Sequence, residues 1–223
     1  MTLTCLLAGV ALVGCGGGDD DTSKASAADL LDEANARMGE LKSVTIKITN
    51  EVGDDTVTWR MTTDLKSRCQ VKNTFSRSGT LEQIRIDETD YVRPDNKYLA
   101  AWSGKDLGAA KPGAWAKVPV SRSEPGDGLS QCTRPFDSFG TATKGEATRI
   151  DGREALGLNV TDPADKKGKY TFYVATEGEP HLLKAVYRAG KQVTTTSFGD
   201  FDEPLDIRPP ASAEVLDMSD VTE

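Results

Sequence analysis

Histidine is almost absent from this chain of 223 residues; His181 is the only one. That removes most zinc sites and most catalytic constellations built on a histidine base. His181 follows Pro180 at the start of an expected strand, and no Gly-x-Ser-x-Gly motif accompanies it, so it reads as a turn or surface residue. No acid–base, nucleophile or metal set can be assembled, and neither catalysis nor a cofactor is expected. A basic stripe is also missing. Lys and Arg number 27 against 35 Asp and Glu, for a net charge of -8, and the cations are interleaved with Asp, Glu or Thr. A nucleic-acid partner is therefore not expected. No apolar run reaches the ~20 residues needed to span a bilayer core.

The apolar run that does exist is short and lies at the beginning. Residues 1–14, MTLTCLLAGVALVG, fit the apolar region of an export signal. The segment ends Leu12-Val13-Gly14-Cys15, which is similar to the bacterial lipobox. In such signals the cysteine receives a diacylglycerol and cleavage occurs just before it. Two or more acyl chains, palmitate among them, give stable anchoring. No Lys or Arg precedes the run, a departure that fits a true start upstream of Met1 or a trimmed chain. After Cys15 come three glycines, three aspartates and a Thr-Ser-Lys-Ala stretch, the composition of a flexible tether over residues 15–25. The aspartates lack the spacing of a calcium loop. With Cys5 removed and Cys15 acylated, Cys69 and Cys132 remain, the number one disulfide needs in an oxidising compartment.

The rest, residues 26–223, reads as one domain. Ser26 and Asp29 make a capping-box start for a helix over about 27–41. Its apolar stripe is Ala27, Leu30, Leu31, Ala34, Met38 and Leu41. From Val44 the period changes to two. Val44, Ile46 and Ile48, then Val57, Trp59 and Met61, then Cys69, Val71 and Phe75 keep one parity, broken at Asn73. Further strands are expected at 80–87, 90–94, 114–120, 144–150, 153–161, 168–175, 181–188 and 191–198. Asp151-Gly152 and Ala189-Gly190 mark tight hairpins. The fold class is α+β: a strongly curved antiparallel β half-barrel with an N-terminal helix against its concave face.

Size then bears on function. Nine or ten strands at ~4.8 Å make a sheet roughly 45 Å wide, and one helix ~10 Å across cannot cover its apolar face. The stretch from about 103 to 140, rich in Gly, Pro and Ser, is the expected lid, and a Cys69–Cys132 bridge would pin it to the early strands. An incompletely filled apolar interior suits an apolar ligand.

Local patterns along residues 26–216 carry a resemblance. They are Leu41-Lys42-Ser43-Val44-Thr45-Ile46 after the helix, Asp90-Tyr91-Val92-Arg93 followed by Trp115-Ala116-Lys117-Val118-Pro119, and the Ile150–Ala155 hairpin. Phe172-Tyr173-Val174 leads to Gly178-Glu179-Pro180-His181, and the chain closes on Phe198-Gly199-Asp200-Phe201-Asp202-Glu203-Pro204-Leu205. The layout resembles the LolA-like superfamily, especially LppX/LprG-type actinobacterial lipoproteins. That resemblance implies a half-barrel whose hydrophobic cavity carries lipids or acyl chains at the cell envelope. The expected partners are a lipid or other apolar molecule, and the outer side of the cell membrane through the Cys15 anchor. The alternative is a non-catalytic envelope sensor acting through a membrane protein partner, as RseB-type regulators do. Candidate cavity residues are Leu31, Met38, Trp59, Met61, Val71, Phe75, Ile84, Ile86, Tyr91, Trp102, Trp115, Phe172 and Val174. Each aromatic among them reads equally as core.

Overall fold

The computed structural model describes residues 25–103, 113–123 and 126–219. The expected signal peptide 1–14, Cys15, residues 16–24 of the tether and part of the expected lid lie outside the described residues. Helix α1 (Ala27–Glu40) opens the domain. Its capping box forms as the sequence requires: Asp29 N donates to Ser26 Oγ at 3.1 Å and Ser26 N to Asp29 Oδ2 at 3.1 Å. Among the described residues no helix is long and apolar enough to cross a membrane.

The strands are β1 (Val44–Val52), β2 (Asp55–Thr63), β3 (Arg68–Phe75), β4 (Gly79–Ile86), β5 (Thr89–Pro94), β6 (Trp115–Pro119), β7 (Thr141–Ile150), β8 (Arg153–Thr161), β9 (Lys169–Ala175), β10 (Leu182–Ala189), β11 (Gln192–Gly199) and β12 (Val215–Asp217). A short helix, α2 (Asn96–Ser103), lies between β5 and β6. All twelve strands join one curved, unclosed sheet in the order β12-β6-β5-β4-β3-β2-β1-β11-β10-β9-β8-β7. Two meanders therefore meet where β1 pairs antiparallel with β11. The exception to the antiparallel pattern is β12, which runs parallel to β6. At the β7–β8 hairpin Asp151 and Gly152 both have positive φ, 50° and 84°, the two left-handed positions that an Asp-Gly turn supplies.

Period-two alternation explains the core. Val44, Ile46, Met61, Cys69 and Val71 face the concave side together with Leu158, Val160, Val174 and Leu182, and α1 lays Leu30, Leu31, Ala34 and Met38 onto them. Met38 and Ala34 are 0% exposed. Burying a side chain such as Met38 contributes ~1.5–3 kcal/mol.

After β11 the chain does not stop at the sheet edge. Asp202 Oδ1 accepts from Lys42 N at 2.6 Å, Ser43 Oγ donates to Glu203 O at 2.7 Å, and Arg68 Nη2 donates to Ile207 O at 2.8 Å. These bonds lead the C-terminal segment across the back of the sheet to β6. There Ile207 packs with Ile84 and Trp115, and Leu205 and Val215 pack around them. The β4–β6 part of the sheet is thus buried on both faces.

A third cluster, Ala155, Ala175 and Leu183 with Phe201 against it, closes the opposite flank. His181 stacks on Phe201 with ring centroids 4.5 Å apart, and the Arg153 guanidinium lies 5.6 Å from the same ring. Burial, and then the Arg153 charge, hold the His181 pKa below its ordinary value. Below an ordinary histidine pKa of about 6.5 the unfolded chain binds a proton that the folded chain resists. Stability should therefore fall as the pH drops through that value, and level off once the folded imidazole is also protonated. Urea denaturation between about pH 7.5 and 5 should show a decline that His181→Gln flattens; parallel curves for the two proteins would contradict it.

Candidate functional site

On β4 and β5 the concave face is polar at Gln83, Arg85 and Asp90, against the parity expected from the sequence, whereas β3 keeps its expected parity. Register places Asn73, Leu81, Gln83, Arg85, Asp90 and Val92 on the same side as Cys69 and Val71. Arg85, Gln83 and Asp90 are buried. Arg85 Nε and Nη2 donate to the two oxygens of Asp90 at 2.8 and 2.6 Å, a bidentate pair. Gln83 Nε2 donates to Asp90 Oδ1 at 2.8 Å, and Ser123 Oγ reaches Asp90 Oδ2 at 3.3 Å.

What covers this network is the strap, residues 126–140. Ser130 N donates to Gln83 Oε1 at 2.8 Å, and Ser130 O accepts from Gln83 Nε2 at 3.1 Å. Arg85 Nη1 donates to Gln131 Oε1 at 2.7 Å, Trp59 Nε1 to Ser130 Oγ at 2.9 Å, and Asn73 Nδ2 to Gly128 O at 3.2 Å. Thr63 Oγ1 donates to Cys132 O at 2.6 Å, beside the disulfide that joins Cys132 to Cys69. At Gly128, where φ is +82°, a Cβ would sit 2.9 Å from Tyr98 Oη and 3.1 Å from Leu81, so a side chain would be strained in its backbone and would crowd both neighbours.

Past Cys132 the strap changes character. Phe136 meets Phe198 at 6.0 Å, and Phe139 meets Tyr170 at 4.9 Å and Phe172 at 5.8 Å, all between ring centroids. Asn35 Nδ2 of α1 donates to Ser138 Oγ at 2.8 Å. This arm bridges the concave face and leaves a cleft on each side, the first mostly apolar and the second lined equally by apolar and polar groups. One cleft, of 250 Å³, lies between Asn35, Phe136 and Phe139 above and Phe172, Ala185 and Phe198 below. The other, of 370 Å³, lies on β1–β2 between Ile48, Trp59 and Met61 and the strap residues Ser130, Gln131 and Thr133. At one end of the first cleft Asp165 accepts from Tyr170 Oη at 3.0 Å and from Tyr187 Oη at 2.9 Å. These bonds, that from Tyr187 first, hold the Asp165 carboxyl below its usual range, while burial and then Asp165 push the Tyr170 phenol up to about 12.

No sequence-family model matches the chain, and no curated relative matches it. Solved structures do match in shape. LprF from Mycobacterium bovis superposes with a TM-score of 0.52 at 13% identity, over 83% of this chain and 97% of that one. The Mycobacterium tuberculosis lipoprotein LppX superposes with a TM-score of 0.50 at 14% identity, over 80% of this chain and 98% of that one. The fold is an LppX-type, LolA-like half-barrel.

Within the half-barrel the residues expected from sequence to line a cavity scatter. Phe172 lines the first cleft, and Trp59 and Met61 line the second. Leu31, Met38, Val71 and Val174 are fully packed core. Phe75 packs on Tyr98 of α2, 5.7 Å between centroids. Ile84, Ile86, Tyr91 and Trp115 lie on the outer face, because the C-terminal segment gives those positions a second buried surface. Trp102, on α2, is 72% exposed and away from either cleft. The arm aromatics Phe136 and Phe139 and the floor residues Ala185 and Phe198 were not among the expected set. Phe198 alone had a sequence signal, its alternation with Thr196 and Thr194 on one face of β11.

Two stability predictions follow from the strap. Asp90→Ala strands a buried guanidinium and should cost ~3–5 kcal/mol in urea unfolding, whereas Arg85→Met with Asp90→Leu should cost less than Asp90→Ala alone. Replacing both Cys69 and Cys132 by Ser should lower unfolding free energy by ~2–4 kcal/mol; equal midpoints for the Ser variant and the oxidised parent would show that the bridge constrains nothing.

Proposed function

We propose that this half-barrel is an extracytoplasmic lipoprotein, anchored through acylated Cys15, that binds a single acyl-like chain beneath its strap and hands it on without chemistry. The observation that carries the reading is the 250 Å³ cleft walled by aromatic rings above and below. In size it falls just short of the ~300–1,000 Å³ of pockets for drug-sized ligands. One chain, or part of one, fits it; a ligand with several chains does not. The arm from Thr133 to Gly140 supplies the adjustment. It is held by the Asn35–Ser138 hydrogen bond and by ring contacts of Phe136 and Phe139. An acyl chain sliding under it would exchange ring–ring contacts for ring–methylene contacts at small net cost. The bridged part of the strap would stay in place while the arm lifts.

Support also comes from the lipobox-like Leu12-Val13-Gly14-Cys15 and from the fold shared with LppX, itself a lipoprotein. The test is uptake of a fluorescent single-chain fatty acid. Ala185→Trp fills the cleft floor and should weaken uptake at least about tenfold, the equivalent of ~1.4 kcal/mol, with the thermal midpoint little changed. Protein that neither co-purifies with lipid from its own host nor takes up the probe would overturn the reading.

A further inference from the structure

The outer face of the sheet carries an arrangement that the concave face does not use. Cross-strand register aligns Lys184 of β10, Ser197 of β11, Lys47 of β1, Arg60 of β2 and Lys72 of β3 in one row. The next row on the same face reads Val186, Thr195, Thr49, Thr58 and Thr74. Neither row contains an acid on these five strands, in a chain with 35 Asp and Glu. Acids border the rows: Glu82 on β4, in register with Lys72 and 3.3 Å from it, Asp200 past the end of β11, 3.8 Å from Arg60, Glu51 one row further along β1, and Asp202, Glu203 and Asp206 on the C-terminal segment that crosses the same face. Lys47, Arg60 and Lys72 are exposed.

At ~4.8 Å between strands the row is roughly 19 Å long. Its charges therefore lie within a few neighbours of one another and within about two Debye lengths at 0.1 M salt. Lys47 faces Arg60, and Arg60 faces Lys72, directly across strand pairs. Like charges so placed destabilise a sheet. The ion pairs of Arg60 with Asp200 and of Lys72 with Glu82 offset part of that cost, and Lys47 lies between them with no acid in its row on these five strands.

We propose that this row and its threonine neighbours form a binding surface for a flexible, linear, phosphate-bearing polyanion. Lys and Arg supply the charge, and the flanking hydroxyls donate to phosphate oxygens, the pairing by which phosphate backbones are held generally. A bilayer is the poorer fit. A flat surface touches the outside of a curved sheet along a narrow line, and interfacial binding couples basic residues to inserted apolar ones. Among the described residues the large exposed apolar side chains, Val52, Trp102, Phe139 and Leu216, all lie outside the two rows. A protein partner would need aromatic or aliphatic anchors that the rows also lack. A polymer that bends with the sheet needs neither. Apart from Val186, which also borders the cleft, the surface lies on the opposite face.

The probe is long-chain inorganic polyphosphate, its binding to the whole protein followed by fluorescence anisotropy over a salt series. Binding should weaken linearly in log–log with salt. Lys47→Glu with Lys184→Glu should reduce affinity at least ~10-fold and flatten the salt slope by about two. The same charge change in the β8–β9 loop, Lys166→Glu with Lys167→Glu, should leave binding close to the parent's. Lys47→Gln with Lys184→Gln serves if the reversal impairs folding, and fatty-acid uptake by each variant reports an intact concave face. The proposal is overturned by no polyphosphate binding, by equal weakening in both charge-reversal variants, or by anionic phospholipid vesicles binding with the same dependence on Lys47 and Lys184.

Discussion

Arg85 and Asp90 face each other on neighbouring strands inside the cup, both buried, and the seating of the strap over β3–β5 follows from how they are satisfied. The carboxylate takes both guanidinium forks and the Gln83 amide. The remaining donors and acceptors, Arg85 Nη1 and the Gln83 carbonyl, are met by the strap at Gln131 and Ser130. A buried pair of this kind returns about what its desolvation costs. Its effect is geometric: only one alignment of the strap meets both groups. A purely apolar surface would have accepted several.

From that alignment the two halves of the strap acquire different physics. Up to Cys132 it is fixed by directional hydrogen bonds and a covalent bridge. Beyond Cys132 it is fixed by aromatic contacts, which are non-directional and exchangeable. The cup is wide enough to be hollow, yet its β3–β5 side is filled with polar groups that reject hydrocarbon, and its β9–β11 side is left apolar. The aromatic cleft lies on the side where the cover can move, and the cleft on β1–β2 lies beside the bridged half of the strap.

The sequence made the scaffold plain because period-two alternation and hairpin glycines are local. Helix α1, its capping box and the strands from Val44 to Phe198 were readable residue by residue. The interior of β4 was not. Its apolar residues, Ile84 and Ile86, suggest an inward even parity, yet the β3–β4 register turns Gln83 and Arg85 inward and Ile84 outward. Alternation gives two faces; it identifies the buried one only when the other is wet. Here the C-terminal segment covers the second face, so both are buried, and the apolar set went to the wrong side. The break of parity at Asn73 was the one visible trace of the strap, since Asn73 binds its Gly128 carbonyl. Helix α2 and β12 are too short to have a period.

The same reasoning explains why the chain seemed to lack any concentration of positive charge. Along the sequence Lys47, Arg60, Lys72 and Lys184 are separated by 12 residues or more, the first three near threonines and Lys184 between Leu183 and Ala185, and the net charge is negative. Register brings them together at strand spacing, on the face opposite the aromatic cleft. A sheet buried on one side leaves the other side free to vary, so polar residues there need only be soluble, and mixed charges would have met that need at lower electrostatic cost. Acids placed among these cations would have relieved the repulsion between Lys47, Arg60 and Lys72. Acids meet two of the cations only from the margins, Asp200 at Arg60 and Glu82 at Lys72, and none stands within the two rows over these five strands; an anionic chain lying along the row would relieve the repulsion that remains.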